Sequence, residues 1–284
     1  MNKLTLLTII MLILASGAVL TQFMTTDEEY SRYNIGWNGT TDFFLMAQGK
    51  ELLYSPEDLS GKTNSTLLIL APKEEDFPEL SRYLDAGNTV LIADQSGNAN
   101  LLLENLGSSI RIHDEPVRST SMEYRDPGLF RGTVSGNIYN TNVTDLTFNY
   151  PGYVSGGEPL VTTSYLSWID TNLNGITDAN ESLKVYTLIA TENISNGRLA
   201  VIADPSLFIN SMLVRNHPEN LAVISALLEN DLIIDQTISL TTQGGGLTGL
   251  LQQMHRHPVF GTAILTILCI IAGGIGIRRF YHDR

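Results

Sequence analysis

Apolar residues gather into two kinds of run along the chain. The short runs are Thr66-Leu-Leu-Ile-Leu-Ala71, Thr89-Val-Leu-Ile-Ala93 and Gly197-Arg-Leu-Ala-Val-Ile-Ala203. They show little polar alternation, which is the pattern of strands buried on both faces. Between and after them lie helical stretches. Pro72 with Lys73 to Leu84 reads as a crossover helix stopped by Gly87-Asn88, Asn98 to Leu106 as a second helix closed by Gly107, and Glu219 to Leu228 as a third. Asn34 to Leu53 supplies a turn and the first helix. Strand, helix and strand in this order imply parallel pairing through a crossover. From Ile110 to Tyr186 the texture changes. Short alternating runs such as Leu129-Phe-Arg-Gly-Thr-Val134 and Asp145-Leu-Thr-Phe-Asn-Tyr150 are bounded by Gly, Asn and Pro, and predict antiparallel strands. The expected fold class is α/β: an open, mostly parallel sheet with inserted antiparallel strands.

The long runs change the picture. No charged residue occurs from Leu4 to Thr26 or from Pro258 to Ile277, which are 23 and 20 residues, each long enough to cross a bilayer. Residues 1–26 read as an N-terminal transmembrane anchor or as a signal segment, since Ala15, Ser16, Gly17 and Ala18 follow one Lys3 and an apolar run. The second run ends at Arg278 and Arg279, the pattern of a stop-transfer helix. The expected layout is therefore an extracytoplasmic α/β domain over 27–243, a glycine-rich juxtamembrane tether over 244–257, a transmembrane helix over 258–278 and a basic tail over 279–284. Lys3 and the terminal arginines place both chain ends in the cytoplasm of a two-span protein of the cell membrane.

Charge narrows the function classes. Thirty acidic residues against 17 basic ones leave an excess of 13 negative charges, with no basic stripe to relieve it. Nucleic acid is not an expected partner. The single cysteine, Cys269, can form no internal disulfide and has no CxxC companion. Five N-x-S/T sequons, beginning at Asn38, Asn64, Asn142, Asn180 and Asn193, agree with an exterior location.

The most specific motif is Asp170-Thr-Asn172-Leu-Asn174-Gly175-Ile176-Thr-Asp178-Ala-Asn-Glu181, which meets every fixed position of a calcium loop. Oxygens of Asp170, Asn172, Asn174, the Ile176 carbonyl, Asp178 and Glu181 can wrap a hard cation, with Gly175 permitting the turn. An Asx-rich turn is the alternative. The flanks, Ser164 to Ile169 and Leu183 to Ile189, look extended, so a structural calcium clip is expected rather than a helical switch.

The stretch Tyr33-Asn-Ile-Gly-Trp-Asn-Gly-Thr40, the Leu-Ile-Leu-Ala-Pro strand, the Asp-x-Asn-x-Asn-Gly loop and Gly197 through Phe208 resemble archaeal membrane-anchored proteins bearing an uncharacterised domain. That domain is similar to the class I glutamine amidotransferase fold, as in the gliding-motility transport component GldG. The resemblance covers roughly residues 30 to 230 and implies a surface assembly with membrane-protein partners, among them a MoxR-type ATPase system. It carries no activity with it.

Catalysis is not expected. Amidotransfer needs a cysteine on a strand-to-helix elbow, and the corresponding elbow here reads Asp94-Gln95-Ser96-Gly97, with Cys269 far away in the second apolar run. His113 and His217 are isolated, while His255, His257 and His282 flank that run. Asp94, Ser96, Asp204 and Ser206, at the ends of two buried strands, mark a candidate ligand cleft, because open α/β sheets bind there. The expected function is a non-catalytic binding or scaffold subunit of a membrane-associated assembly. The alternative is a surface hydrolase using Asp94, Ser96 or Asp204.

Overall fold

The computed structural model describes residues 26–244, except 122, 215 and 216. A short helix, α1 (Thr41–Met46), precedes β1 (Glu51–Leu53). Then come β2 (Thr66–Leu70), α2 (Glu79–Asp85), β3 (Thr89–Ala93) and α3 (Asn100–Asn105). The middle of the chain is built of strands and turns: β4 (Arg111–His113), β5 (Val117–Ser119), β6 (Leu129–Val134), β7 (Asp145–Asn149), β8 (Tyr153–Ser155), β9 (Glu158–Thr162) and β10 (Ser167–Ile169). After β11 (Thr187–Ile194) and β12 (Gly197–Ile202), helix α4 (Pro218–Glu229) and β13 (Leu232–Asp235) restore the first pattern.

Eleven of these strands share one sheet, whose main path runs β1-β13-β2-β3-β12-β11-β9-β6-β7. β8 pairs with both β11 and β4, while β5 and β10 form a separate two-stranded ribbon. Pairing is parallel from β1 through β12 and antiparallel beyond it.

The apolar runs explain the centre. β2 is buried along its whole length. Leu68 and Leu70 face one core together with Leu91 and Ile234, and Leu67 and Ile69 face the other with Val90, Ile92 and Ile233. Both faces are covered, which is why these strands show no polar alternation. α4 covers the first face with Val223, Ile224 and Leu227, and α2 covers the second with Leu80, Tyr83 and Leu84. Each set follows the three- and four-residue spacing of one helix face, and each large side chain so buried contributes about 2 kcal/mol. α2 ends where Gly87 takes a φ of +85°, a left-handed turn that other residues adopt only with strain.

Three expectations are corrected. The sheet is mixed rather than mostly parallel, and with that goes the amidotransferase-like layout. β11 and β12 are joined by only two residues, Ser195 and Asn196, so they can pair only as an antiparallel hairpin, and the strands of the middle segment extend the sheet from β11. The helix expected from Lys73 is confined to Glu79–Asp85, because Pro78 disfavours helical backbone at Phe77. The two-span membrane arrangement, with its extracytoplasmic placement, is withdrawn as well. Among the described residues no helix is long and apolar enough to cross a membrane. Apart from Thr26 and Gly244, the expected anchor, tether, second span and basic tail lie outside the described residues.

Candidate functional site

The C-terminal ends of β3, β12 and β13 each carry a buried aspartate: Asp94, Asp204 and Asp235. At such an end the chain must leave the sheet, and the amides of the turn lose their ladder partners. A carboxylate placed there satisfies them. Asp94 Oδ1 accepts from the Ser96 amide at 2.8 Å and the Ser96 hydroxyl at 2.7 Å, and its Oδ2 accepts from the Ala99 amide at 2.8 Å. Asp204 accepts from the Ser206 amide at 2.8 Å and the Asn149 amide at 2.7 Å. Asp235 Oδ2 accepts from the amides of Ile238 at 3.1 Å and Ser239 at 2.8 Å and from the Ser239 hydroxyl at 2.7 Å, while its Oδ1 takes the Thr237 amide at 2.9 Å.

The structure places Asp94 and Asp204 at adjacent strand ends and commits both to backbone amides, Asp94 within its own turn and Asp204 in its turn and at Asn149 of β7. Ser96 donates its hydroxyl to Asp94, and neither histidine of the described residues bonds to it. His113 pairs with Ser155 at 2.8 Å and stacks on Tyr153, while His217 is buried against Tyr124. Asp204 is the unusual one. Complete burial pushes its pKa up to about 7, outweighing the hydrogen bonds from Asn149 and Ser206 that favour its charge. Tyr30 lies beside it, and burial first and the Asp204 charge second raise the pKa of that phenol. Asp235 went unremarked in the sequence, although Ile233-Ile234-Asp235 repeats the apolar-run-then-aspartate signal.

The calcium-loop residues are drawn together, but largely by bonds among themselves. Asp170 is wholly buried and ion-paired to Arg118 at 3.2 Å, and it accepts from the amides of Asn174 at 3.1 Å and Gly175 at 2.9 Å. Glu181 takes the amides of Thr171 at 2.8 Å and Asp178 at 3.1 Å. Asp178 Oδ2 faces the side-chain amides of Asn172 at 2.6 Å and Asn174 at 3.0 Å. Ile176 donates its amide to the Asn174 side chain. Among the described residues no three Asp, Glu, His or Cys side chains converge as a metal-holding group. The all-oxygen donor set suits calcium, and Asp178 is the carboxylate an ion could take over without breaking a backbone bond. Arg118 already neutralises Asp170, which weakens any such site.

A large concavity lies elsewhere. A cleft of about 430 Å³ opens on one face of the sheet, between α4, the strands β3, β12 and β11, and the loop over residues 137–140. Its floor and walls are apolar: Leu91, Ile189, Ile202 and Phe208 meet Val223, Ile224 and Leu227 of α4. The sheet register orders the floor. Arg198 pairs with Thr89, Ala200 with Leu91 and Thr191, and Ile202 with Ile189. Polar residues therefore stand at one end of these strands and apolar ones at the other, about 13 Å apart over four residues. Asn220 locks the helical wall in place. Its side chain accepts the Thr147 amide at 2.9 Å and donates to the Thr147 carbonyl at 2.8 Å, clamping α4 to β7. The rim loop is held in an unusual shape, with Tyr139 and Asn140 both in the left-handed region at φ +49° and +57°. Burial pushes the Tyr139 phenol up to about 12, with the Arg198 charge opposing.

Residues 32–228 match the family described as Domain of unknown function (DUF4350). The chain belongs to the DUF4350 family. The match bears out the expected uncharacterised domain; it spans Asp94, Asp204, the Asp170–Glu181 loop and every residue that lines the cleft, and ends before Asp235. No curated protein matches the chain. Among solved structures, a polyextremophilic beta-galactosidase from the Antarctic haloarchaeon Halorubrum lacusprofundi shares 15% identity at a TM-score of 0.33, over 62% of this chain and 23% of that one. The beta-galactosidase from Bacillus circulans sp. alkalophilus shares 12% at a TM-score of 0.31, over 56% and 23%. This DUF4350 chain spans less than a quarter of either enzyme, and likenesses so distant say nothing of its activity.

Proposed function

We propose that this DUF4350 domain is a non-catalytic binding domain whose ligand sits in the cleft between α4 and the sheet. The observation that carries the reading is the cleft itself. Its volume of about 430 Å³ falls in the range of small-molecule sites, and apolar walls with a few polar groups at one end are the usual make-up of such sites. The strand-end residues argue in the same direction. Ser96 donates a hydroxyl hydrogen bond to Asp94, whose oxygens also hold the Ser96 and Ala99 amides, and neither His113 nor His217 reaches the serine, so the activating base that a serine hydrolase uses has no candidate beside it among the described residues. The hydrolase alternative has no comparable support.

Fluorescence of 1-anilinonaphthalene-8-sulfonate tests this reading. The dye is expected to brighten with the folded protein and to compete with other apolar ligands. Val223→Trp and Ala200→Phe, which fill the cleft from the helix and from the sheet, should abolish the effect. Equal brightening in both folded variants would place the binding elsewhere and overturn the proposal.

A further inference from the structure

The charge around the cleft selects among the ligands its shape would admit. The chain as a whole carries 13 more acidic than basic residues, yet no carboxylate lines the cleft and Arg198 is the one charged residue among those that do. Arg198 has no carboxylate within 4 Å among the described residues. Its guanidinium instead lies 3.4 Å from the Thr191 hydroxyl. It is exposed, at the polar end of the strand whose next inward-facing residues are Ala200 and Ile202.

We propose that the cleft takes a single-chain anionic amphiphile, a carboxylate or sulfate on an alkyl tail, with its head on Arg198 and its tail along β12 toward Ile202 and Phe208. This rests on the cleft being a ligand site at all, and adds the class of ligand. An arginine offers two parallel N–H donors to such a head, and Thr89, its register partner, and Thr191, whose hydroxyl it reaches, supply further polar groups at the same end. The tail gains by leaving water for the apolar walls. A cationic amphiphile would meet Arg198 with like charge, and a neutral one would gain only the apolar part.

The test is calorimetric titration of the full chain with decanoate, decyl glucoside and decyltrimethylammonium, each below its micellar concentration. Decanoate should bind most tightly. Arg198→Gln, a surface change that leaves the core intact, should weaken decanoate binding about tenfold, as expected for one charge-assisted contact, and leave decyl glucoside within about twofold. Arg198→Lys should recover part of the loss. Val223→Trp and Ala200→Phe, either of which suffices if the other fails to fold, should weaken both ligands. Unchanged decanoate affinity in Arg198→Gln, with glucoside binding still lost in the filled variants, would overturn the anionic class while leaving the cleft as a site. Absence of binding by all three probes, or binding indifferent to the filled variants, would overturn both.

Discussion

The rim formed by the strand ends and the cleft on the sheet face hold opposite kinds of residue. On the rim, Asp94, Asp204 and Asp235 are buried carboxylates, the residue type that suggests chemistry, and each has its oxygens taken up by backbone amides, those of the turn that follows it and, for Asp204, that of Asn149 in β7 as well. On the face, residues that suggest only a core, such as Leu91, Ile202 and Val223, enclose space and leave a single arginine at the opening. Polar side chains at a strand end are thus first of all answers to unpaired backbone amides. An apolar surface that fails to close on itself is the more telling feature.

The largest expected effect comes from the rim. Asp235→Ala would orphan the buried amides of Ile238 and Ser239 and the Ser239 hydroxyl, and we expect it to lower stability by about 4 kcal/mol. Chemical denaturation measures this. A loss below about 1 kcal/mol would break the contrast, because the carboxylate would then be free for other work.

The next effect is specific to Asp204. Its pKa in the fold lies near 7, above the ordinary carboxylate value, so its protonated form favours folding. That contribution is full below about pH 4 and is lost as the pH climbs through 7. Groups near it are Asn149, Ser206, Tyr30 and Glu29. Between about pH 5 and 8 the wild type should lose about 2 kcal/mol from this group. His217, whose pKa burial and then the Arg131 charge lower, opposes this trend as the pH rises. Asp204→Asn isolates the carboxyl: its stability should fall less than that of the wild type across this window, and equal slopes would remove the claim.

Much of this was legible beforehand, and the limits are physical. β2, β3 and β12 stand within a residue or two of the apolar runs that announced them, because strands buried on both faces cannot hide polar residues. β13 escaped notice because Leu232 to Asp235 is too short to separate from a helix end. The share of parallel pairing was overestimated because one two-residue hairpin, at Ser195 and Asn196, decides the direction of every strand beyond β12. The cleft had almost no local signal. Its walls come from β3, β11, β12, α4 and the β6–β7 loop, and each contribution reads as ordinary core. The one hint was Arg198, a cation inside an otherwise apolar run.

On the cleft side, Asn220→Ala should cost about 2 kcal/mol, since it leaves the Thr147 amide and carbonyl unpartnered. Freeing α4 from β7 should also weaken binding of 1-anilinonaphthalene-8-sulfonate, which would tie the wall to the site. Stability lost with dye affinity retained would separate the two. The smallest effect concerns the Asp170–Glu181 loop. Calcium at about 10 mM should stabilise the fold by about 1 kcal/mol if the affinity is millimolar, raising the melting temperature by about 3 °C. Asp178→Ala should remove the rise, whereas an unchanged melting temperature in the wild type would leave the loop as a turn held by Arg118 and its own amides.

The central claim, that the domain binds its ligand on the α4 face of the sheet, is tested most directly by methyl-labelled NMR during titration with decanoate. Shifts should gather on Leu91, Ile189, Ile202, Val223, Ile224 and Leu227, and spare Leu67, Ile69, Val90 and Ile92 on the opposite face. Shifts confined to that opposite face, or no saturable shifts at the α4 face, would contradict the account.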